Sequence, residues 1–132
     1  MRADRPTIAL IEDDPLVRMA LARAIDDADY NVLSAASGAE GLALLEEHDR
    51  VIDLAVVDVV LPGRLDGIAL VREAHRRHPG LRVILTSGHP APAEVDLTGF
   101  GEFVAKPTRV PALLATIERQ LGLGHAARSQ PN

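Results

Sequence analysis

The sequence predicts an α/β domain, a doubly wound sheet of five parallel strands with helices on both faces. Three observations carry that prediction. Short apolar runs rich in β-branched residues alternate with longer stretches of helical periodicity along the whole chain. Two of the runs, residues 8–11 and 54–57, are apolar without interruption, as strands buried on both faces must be. The alternation itself implies parallel strands joined by crossover helices that cover the sheet on each side.

The predicted strands are residues 7–11, 31–34, 54–57, 83–86 and 102–105. In the first helix Val17, Leu21, Ala24 and Ala28 step by four, three and four, which places them on one face. Asp14-Pro15 reads as an N-cap followed by proline at the first helical position. Ser37-Gly38-Ala39-Glu40 fits a capping box that opens a second helix running to about His48. A third helix is expected over residues 66–78, stopped by Pro79-Gly80. The stretch 87–101 carries Pro90, Pro92, Gly99 and Gly101 with little apolar periodicity, so a short or irregular fourth helix near 93–97 is expected. The last helix would bury Val110, Leu113, Leu114, Ile117 and Leu121, with Thr108 as cap and Gly122 and Gly124 as its end. Residues 1–124 are then expected to form the domain and 125–132 a disordered tail.

Composition narrows the function classes. At 132 residues and 47% hydrophobic, the chain suits one domain with a real core, built from aliphatic side chains because aromatics are only 2%. The net charge of −5 and the lack of a Lys/Arg run argue against direct nucleic-acid binding. No cysteine is present, which removes disulfides, thiolate metal sites and cysteine nucleophiles together. No apolar stretch has the length of a signal peptide core or a membrane span, so a cytoplasmic protein without membrane contact is expected.

In open α/β sheets ligands bind beyond the carboxyl ends of the strands. Those positions hold Glu12, Asp13 and Asp14 after the first strand and Asp58 after the third. Thr86 and Ser87 follow the fourth strand, and Lys106-Pro107 the fifth. Taken singly, each has an ordinary structural reading: Asp13 or Asp14 as a helix cap, Asp58 as a turn residue, Lys106-Pro107 as a loop. Taken together, carboxylates from two strand ends converge beside a hydroxyl and an ammonium. Such carboxylates repel one another and call for a cation, and oxygen-only ligands suit Mg²⁺. A carboxylate can also attack a phosphoryl group to give an aspartyl phosphate, with Mg²⁺, lysine and a hydroxyl stabilising the transferred oxygens.

The runs 8–18 (IALIEDDPLVR), 56–63 (VVDVVLPG), 83–88 (VILTSG) and 103–107 (FVAKP) resemble the signature segments of response-regulator receiver domains of bacterial two-component signalling, the CheY-like family. The likeness covers about residues 6–121 in matching order and spacing. It implies the flavodoxin-like strand order 2-1-3-4-5. It further implies that Asp58 accepts phosphate from a sensor histidine kinase or a histidine phosphotransfer protein. By the same resemblance Asp13, five positions before Arg18, is the direct Mg²⁺ ligand together with Asp58 and the backbone carbonyl of Val60. Glu12 would act through water, and Asp14 is then the helix cap. Thr86 and Lys106 would contact the phosphoryl oxygens, and the Lys106–Pro107 bond would be cis. Phe103 matches the aromatic switch position, whose ring turns inward when Thr86 moves toward the phosphate.

Two departures from the family pattern stand out: a loop 61–67 one residue longer than its commonest version, and the shortened stretch 87–101. Receivers commonly signal, and often dimerise, through the surface next to that stretch, so output geometry is left open and a homodimer is a possibility. Val60 and Gly88 lie two residues beyond Asp58 and Thr86, where a hydrolytic water would enter, and neither side chain can hydrogen-bond it. A long-lived phosphorylated state is therefore expected. His48, His75 and His78 fall near helix ends or on exposed faces and read as surface residues, while His89 lies nearer the site. With no output domain after Leu121, signalling is expected through contact with a further, unidentified protein. The competing readings are a phosphate-independent interaction module, a receiver cut from a hybrid histidine kinase, and, more remotely, a metal-dependent phosphohydrolase.

Overall fold

The computed structural model describes residues 1–88 and 95–129, with side chains through 124. Five parallel strands, β1 (Thr7–Ile11), β2 (Asn31–Ala35), β3 (Ile52–Asp58), β4 (Arg82–Ser87) and β5 (Gly101–Ala105), form one sheet in the order β2-β1-β3-β4-β5. Among the described residues four helices connect and follow them: α1 (Pro15–Asp27), α2 (Gly38–Glu47), α3 (Gly67–Arg77) and α4 (Val110–Ser129). This is the fold class and strand order that the sequence implies.

The two-residue period of each strand divides the core. Ala9, Ile11, Ala55, Val57, Val83 and Leu85 point to one face, where Leu45 of α2 and Leu70, Val71 and Ala74 of α3 cover them. Ile8, Leu10, Leu54, Val56 and Ile84 point to the other, against Leu21 and Ile25 of α1 and Leu113 and Ile117 of α4. Both sides of β1 and β3 are thus sealed by aliphatic side chains, each worth about 1.5–3 kcal/mol when fully buried.

Polar caps fix where the helices begin. Asp14 accepts hydrogen bonds from the amides of Leu16 (2.9 Å) and Val17 (3.2 Å), with Pro15 at the first helical position. Ser37 accepts from Glu40 N at 3.1 Å, while the Glu40 carboxylate reaches back to Ala36 N at 2.9 Å, one residue before the usual partner in a capping box. Asp66 caps α3 through Ala69 N at 2.8 Å. At their other ends, His48 and His78 are the C-cap residues of α2 and α3.

Two expectations change, and a third lies partly outside the described residues. The last helix does not end at Gly122 and Gly124 but continues to Ser129. Gly124 is buried, and a Cβ there would lie 3.2 Å from Arg82 Cγ, so this glycine lets the helix pass closely over the arginine stem. Residues 125–129, expected as tail, therefore prolong the helix, and 130–132 lie outside the described residues. The Arg109 carbonyl, not that of Thr108, accepts the first helical bond, from Leu113 N at 2.9 Å. Between β4 and β5, Val95, Asp96 and Leu97 carry no helix and residues 98–100 form a turn. Residues 93 and 94 of the expected fourth helix, like His89, Pro90 and Pro92, lie outside the described residues. Leu97 (3% exposed) and Phe100 (9%) plug the core, and Phe100 stacks on His75 with ring centroids 3.8 Å apart.

Gly67 joins this scaffold to the sheet edge. Its amide donates to Val59 O at 3.1 Å, and a Cβ built on it would meet the Asp58 carbonyl oxygen at 2.0 Å. Gly67→Ala should therefore push α3 away from the end of β3 and cost about 1–3 kcal/mol. Chemical denaturation of the two proteins measures the difference.

Candidate functional site

In a doubly wound sheet the crevice opens where consecutive crossovers leave in opposite directions. Here the chain runs from β1 outward to β2, then returns past β1 to β3, so the crevice lies between the carboxyl ends of β1 and β3. Ile11 pairs with Val57 in that ladder, and the next step brings Glu12 beside Asp58. On the other side of β3, Asp58 pairs with Thr86, and Ser87 pairs with Ala105, the residue before Lys106. Backbone bonds hold the strand ends in place: Glu12 N to Ala35 O (3.1 Å), Val59 N to Thr86 O (2.9 Å) and Lys106 N to Ser87 O (2.8 Å).

The side chains converge accordingly. Carboxylate oxygens of Glu12, Asp13 and Asp58 all lie within 4.8 Å of one another. Lys106 Nζ sits 2.7 Å from Asp58 Oδ2, and the other Asp58 oxygen accepts from Val60 N at 3.0 Å. Asp58 is only 4% exposed and Thr86 is likewise buried, while Asp13 faces solvent. The Lys106–Pro107 peptide bond is cis. Phe103, one ladder step before Val104 opposite Thr86, is half-buried against the face shared with α2 and α3.

Charge is out of balance here. Burial, and then the hydrogen bond and the charge of Asp58, push the Glu12 carboxyl up from its ordinary 4.5 to about 7, although a bond from Asp14 N (3.2 Å) pulls the other way. A carboxyl pushed toward its neutral form by burial and by the carboxylate beside it marks a place where a cation would be welcome. The donors are all oxygens, with one carboxylate open to solvent, which suits a hard divalent ion such as Mg²⁺ that keeps part of its water shell.

Asp14 stands apart from the cluster as the α1 cap. One participant escaped the sequence reading, where Arg18 served only as a position marker. Its Nη1 donates to the carbonyls of Glu12 (2.9 Å) and Asp13 (3.3 Å). Only its place one turn into a helix that starts behind an acidic pair could have hinted at this.

Because the Glu12 value is raised on folding, the protonated form is favoured in the native state. Without divalent cation, stability should therefore fall as pH rises from about 4.5 to about 7, and Mg²⁺ should add more stability near pH 8 than near pH 5. Thermal melts with and without Mg²⁺ at these pH values, beside Glu12→Gln, check both signs.

Comparison with known proteins agrees with this geometry. Residues 8–118 match the response regulator receiver domain family. The chain is 37% identical over 124 residues to part of the sensor kinase CckA of Brucella abortus, covering 87% of this chain and 12% of that protein. It is 37% identical over 122 residues to the transcriptional regulatory protein AfsQ1 of Streptomyces coelicolor, covering 90% and 52%. The chain thus spans about half or less of these two relatives. The crystal structure of a CheY-like receiver domain protein from Methanospirillum hungatei superimposes with a TM-score of 0.84 at 24% identity, over 94% of this chain and 99% of that one. The strand-end cluster, the strand order and the family match lead to one assignment: this chain belongs to the response regulator receiver domains of two-component signalling.

Proposed function

We propose that this domain is a phosphorylation switch whose phosphoacceptor is Asp58. The observation that carries the reading is the buried Asp58 carboxylate, paired with Lys106 at 2.7 Å and crowded by Glu12 and Asp13. An Asp58 oxygen attacks the phosphorus of a phosphohistidine. The P–N bond breaks, and the leaving imidazole nitrogen takes up a proton. Lys106 and the Thr86 hydroxyl then hold oxygens of the new acyl phosphate. Asp13, Asp58, the Val60 carbonyl and, through water, Glu12 would hold Mg²⁺, which when bound offsets negative charge on the transferred group. Thr86 moving toward the phosphate vacates space into which the Phe103 ring turns, and the altered surface changes affinity for a downstream protein or a second copy. Moving such an equilibrium from 1:99 to 99:1 takes about 5.5 kcal/mol of differential stabilisation.

The phosphodonor in this reading is a sensor histidine kinase or a histidine phosphotransfer protein. The domain works as a phosphoacceptor rather than as an enzyme turning over a separate substrate. The 37% identity to a segment of a sensor kinase also favours a second reading, that this receiver serves as a relay within or beside a hybrid kinase.

Incubation with Mg²⁺ and acetyl phosphate should add one phosphoryl group to the wild type and none to Asp58→Asn by intact mass. Lys106→Ala should slow the reaction about a hundredfold. No adduct on the wild type, with no Mg²⁺ binding either, would favour a phosphate-independent interaction module. Val60, 71% exposed, and Gly88 carry no side-chain donor or acceptor with which to hold a hydrolytic water. The adduct should accordingly persist far beyond seconds once the donor is removed, as timed by the same assay.

A further inference from the structure

We infer that Arg18 is a positioning residue for the metal site, acting on the backbone of the acidic pair and not on its carboxylates. The inference rests on the Mg²⁺ reading above and concerns how this chain achieves it. Past Ile11 the β1 ladder has run out: the last bond is Glu12 N to Ala35 O at 3.1 Å, and α1 does not start until Pro15. Between these points Glu12 and Asp13 must aim their side chains into the crevice from backbone that this one ladder bond restrains at its start. Arg18 supplies a further restraint. Its own amide is bonded to Asp14 O at 2.8 Å in the first turn, and its Nη1 folds back to Glu12 O at 2.9 Å and Asp13 O at 3.3 Å.

The choice of acceptor is informative. A guanidinium that pairs with a carboxylate in a fork takes that ligand away from a cation. Bonded to carbonyls, Arg18 orders the turn and leaves the carboxylate oxygens to converge. Two effects on Mg²⁺ affinity therefore oppose each other. The positive charge of Arg18 repels the ion, while the restraint it imposes spares the ion the cost of ordering its ligands. Arg18 is one turn inside a regular helix, partly exposed, and its charge is spread over a delocalised group facing carbonyls, which moderates the repulsion. Positioning outweighs repulsion on this account.

The opposed signs give a clean test. Mg²⁺ binding is measured by isothermal titration calorimetry on wild type, Arg18→Met and Arg18→Lys. The same proteins without metal are followed by amide hydrogen exchange at residues 12–14. Arg18→Met should bind Mg²⁺ about tenfold more weakly although it has lost a repelling charge, and its amides at 13 and 14 should exchange faster. Arg18→Lys, which keeps the charge on a shorter side chain less able to reach both carbonyls, should fall between. Unchanged or tighter binding by a folded Arg18→Met would overturn the inference and leave the metal site standing. A wild type that binds no Mg²⁺ would overturn the metal-site reading and this inference with it.

Discussion

Three carboxylates facing one lysine is the constraint from which the rest of this site follows. Two unit charges about 4.8 Å apart repel by roughly 3–4 kcal/mol at an effective dielectric constant near 20. Lys106 answers only part of that, through Asp58 at 2.7 Å. Burial first, and then the hydrogen bond and charge of Asp58, push the Glu12 carboxyl up to about 7. A domain of modest stability keeps such a cluster only if binding repays it. The imbalance is thus a cost to the fold and, in the proposed switch, the source of affinity for a cation.

The fold bears that cost through backbone rather than through side-chain ion pairs. Strand order β2-β1-β3-β4-β5 brings the ends of β1, β3, β4 and β5 to one edge, and the ladder bonds there fix spacing before any side chain is considered. The two aliphatic layers make the edge rigid. Gly67 lets α3 start against the Asp58 carbonyl, Asp14 fixes where α1 starts, and Arg18 ties the turn between β1 and α1. Away from the site, a second polar network binds α4 to the sheet. Arg82 donates to Gln120 Oε1 at 2.7 Å, Gln120 to Glu102 at 2.8 Å, and Arg119 forks onto Glu102 at 2.7 and 2.8 Å. It anchors the long last helix beside β5, next to the stretch where no helix is seen among the described residues.

Most of the architecture was legible because its signals are local. Continuous apolar runs marked β1 and β3, and Asp14-Pro15 and Ser37 announced α1 and α2 through short-range caps. The acidic residues could be placed together because strand ends in a doubly wound sheet must share an edge. What escaped depends on particular contacts that no spacing rule announces. Gly122 and Gly124 look like helix stops, each costing about 1 kcal/mol in a helix, yet the helix runs on past both with Gly124 buried against the Arg82 stem. The carbonyl-directed bonds of Arg18 and the stacking of His75 on Phe100 leave no pattern in composition or periodicity. The apolar plug formed by Leu97 and Phe100 was hidden for a related reason, since two residues in an irregular segment have no period to detect.

The central claim is that Asp58 carries the phosphoryl group, and its most direct test is chemical trapping of the acyl phosphate. After reaction with acetyl phosphate and Mg²⁺, borohydride reduction converts a phosphorylated aspartate to homoserine, and tandem mass spectrometry locates the change. The account predicts homoserine at position 58 and its absence when Mg²⁺ is withheld. Homoserine at position 13 or at another carboxylate, with 58 unmodified, would contradict it.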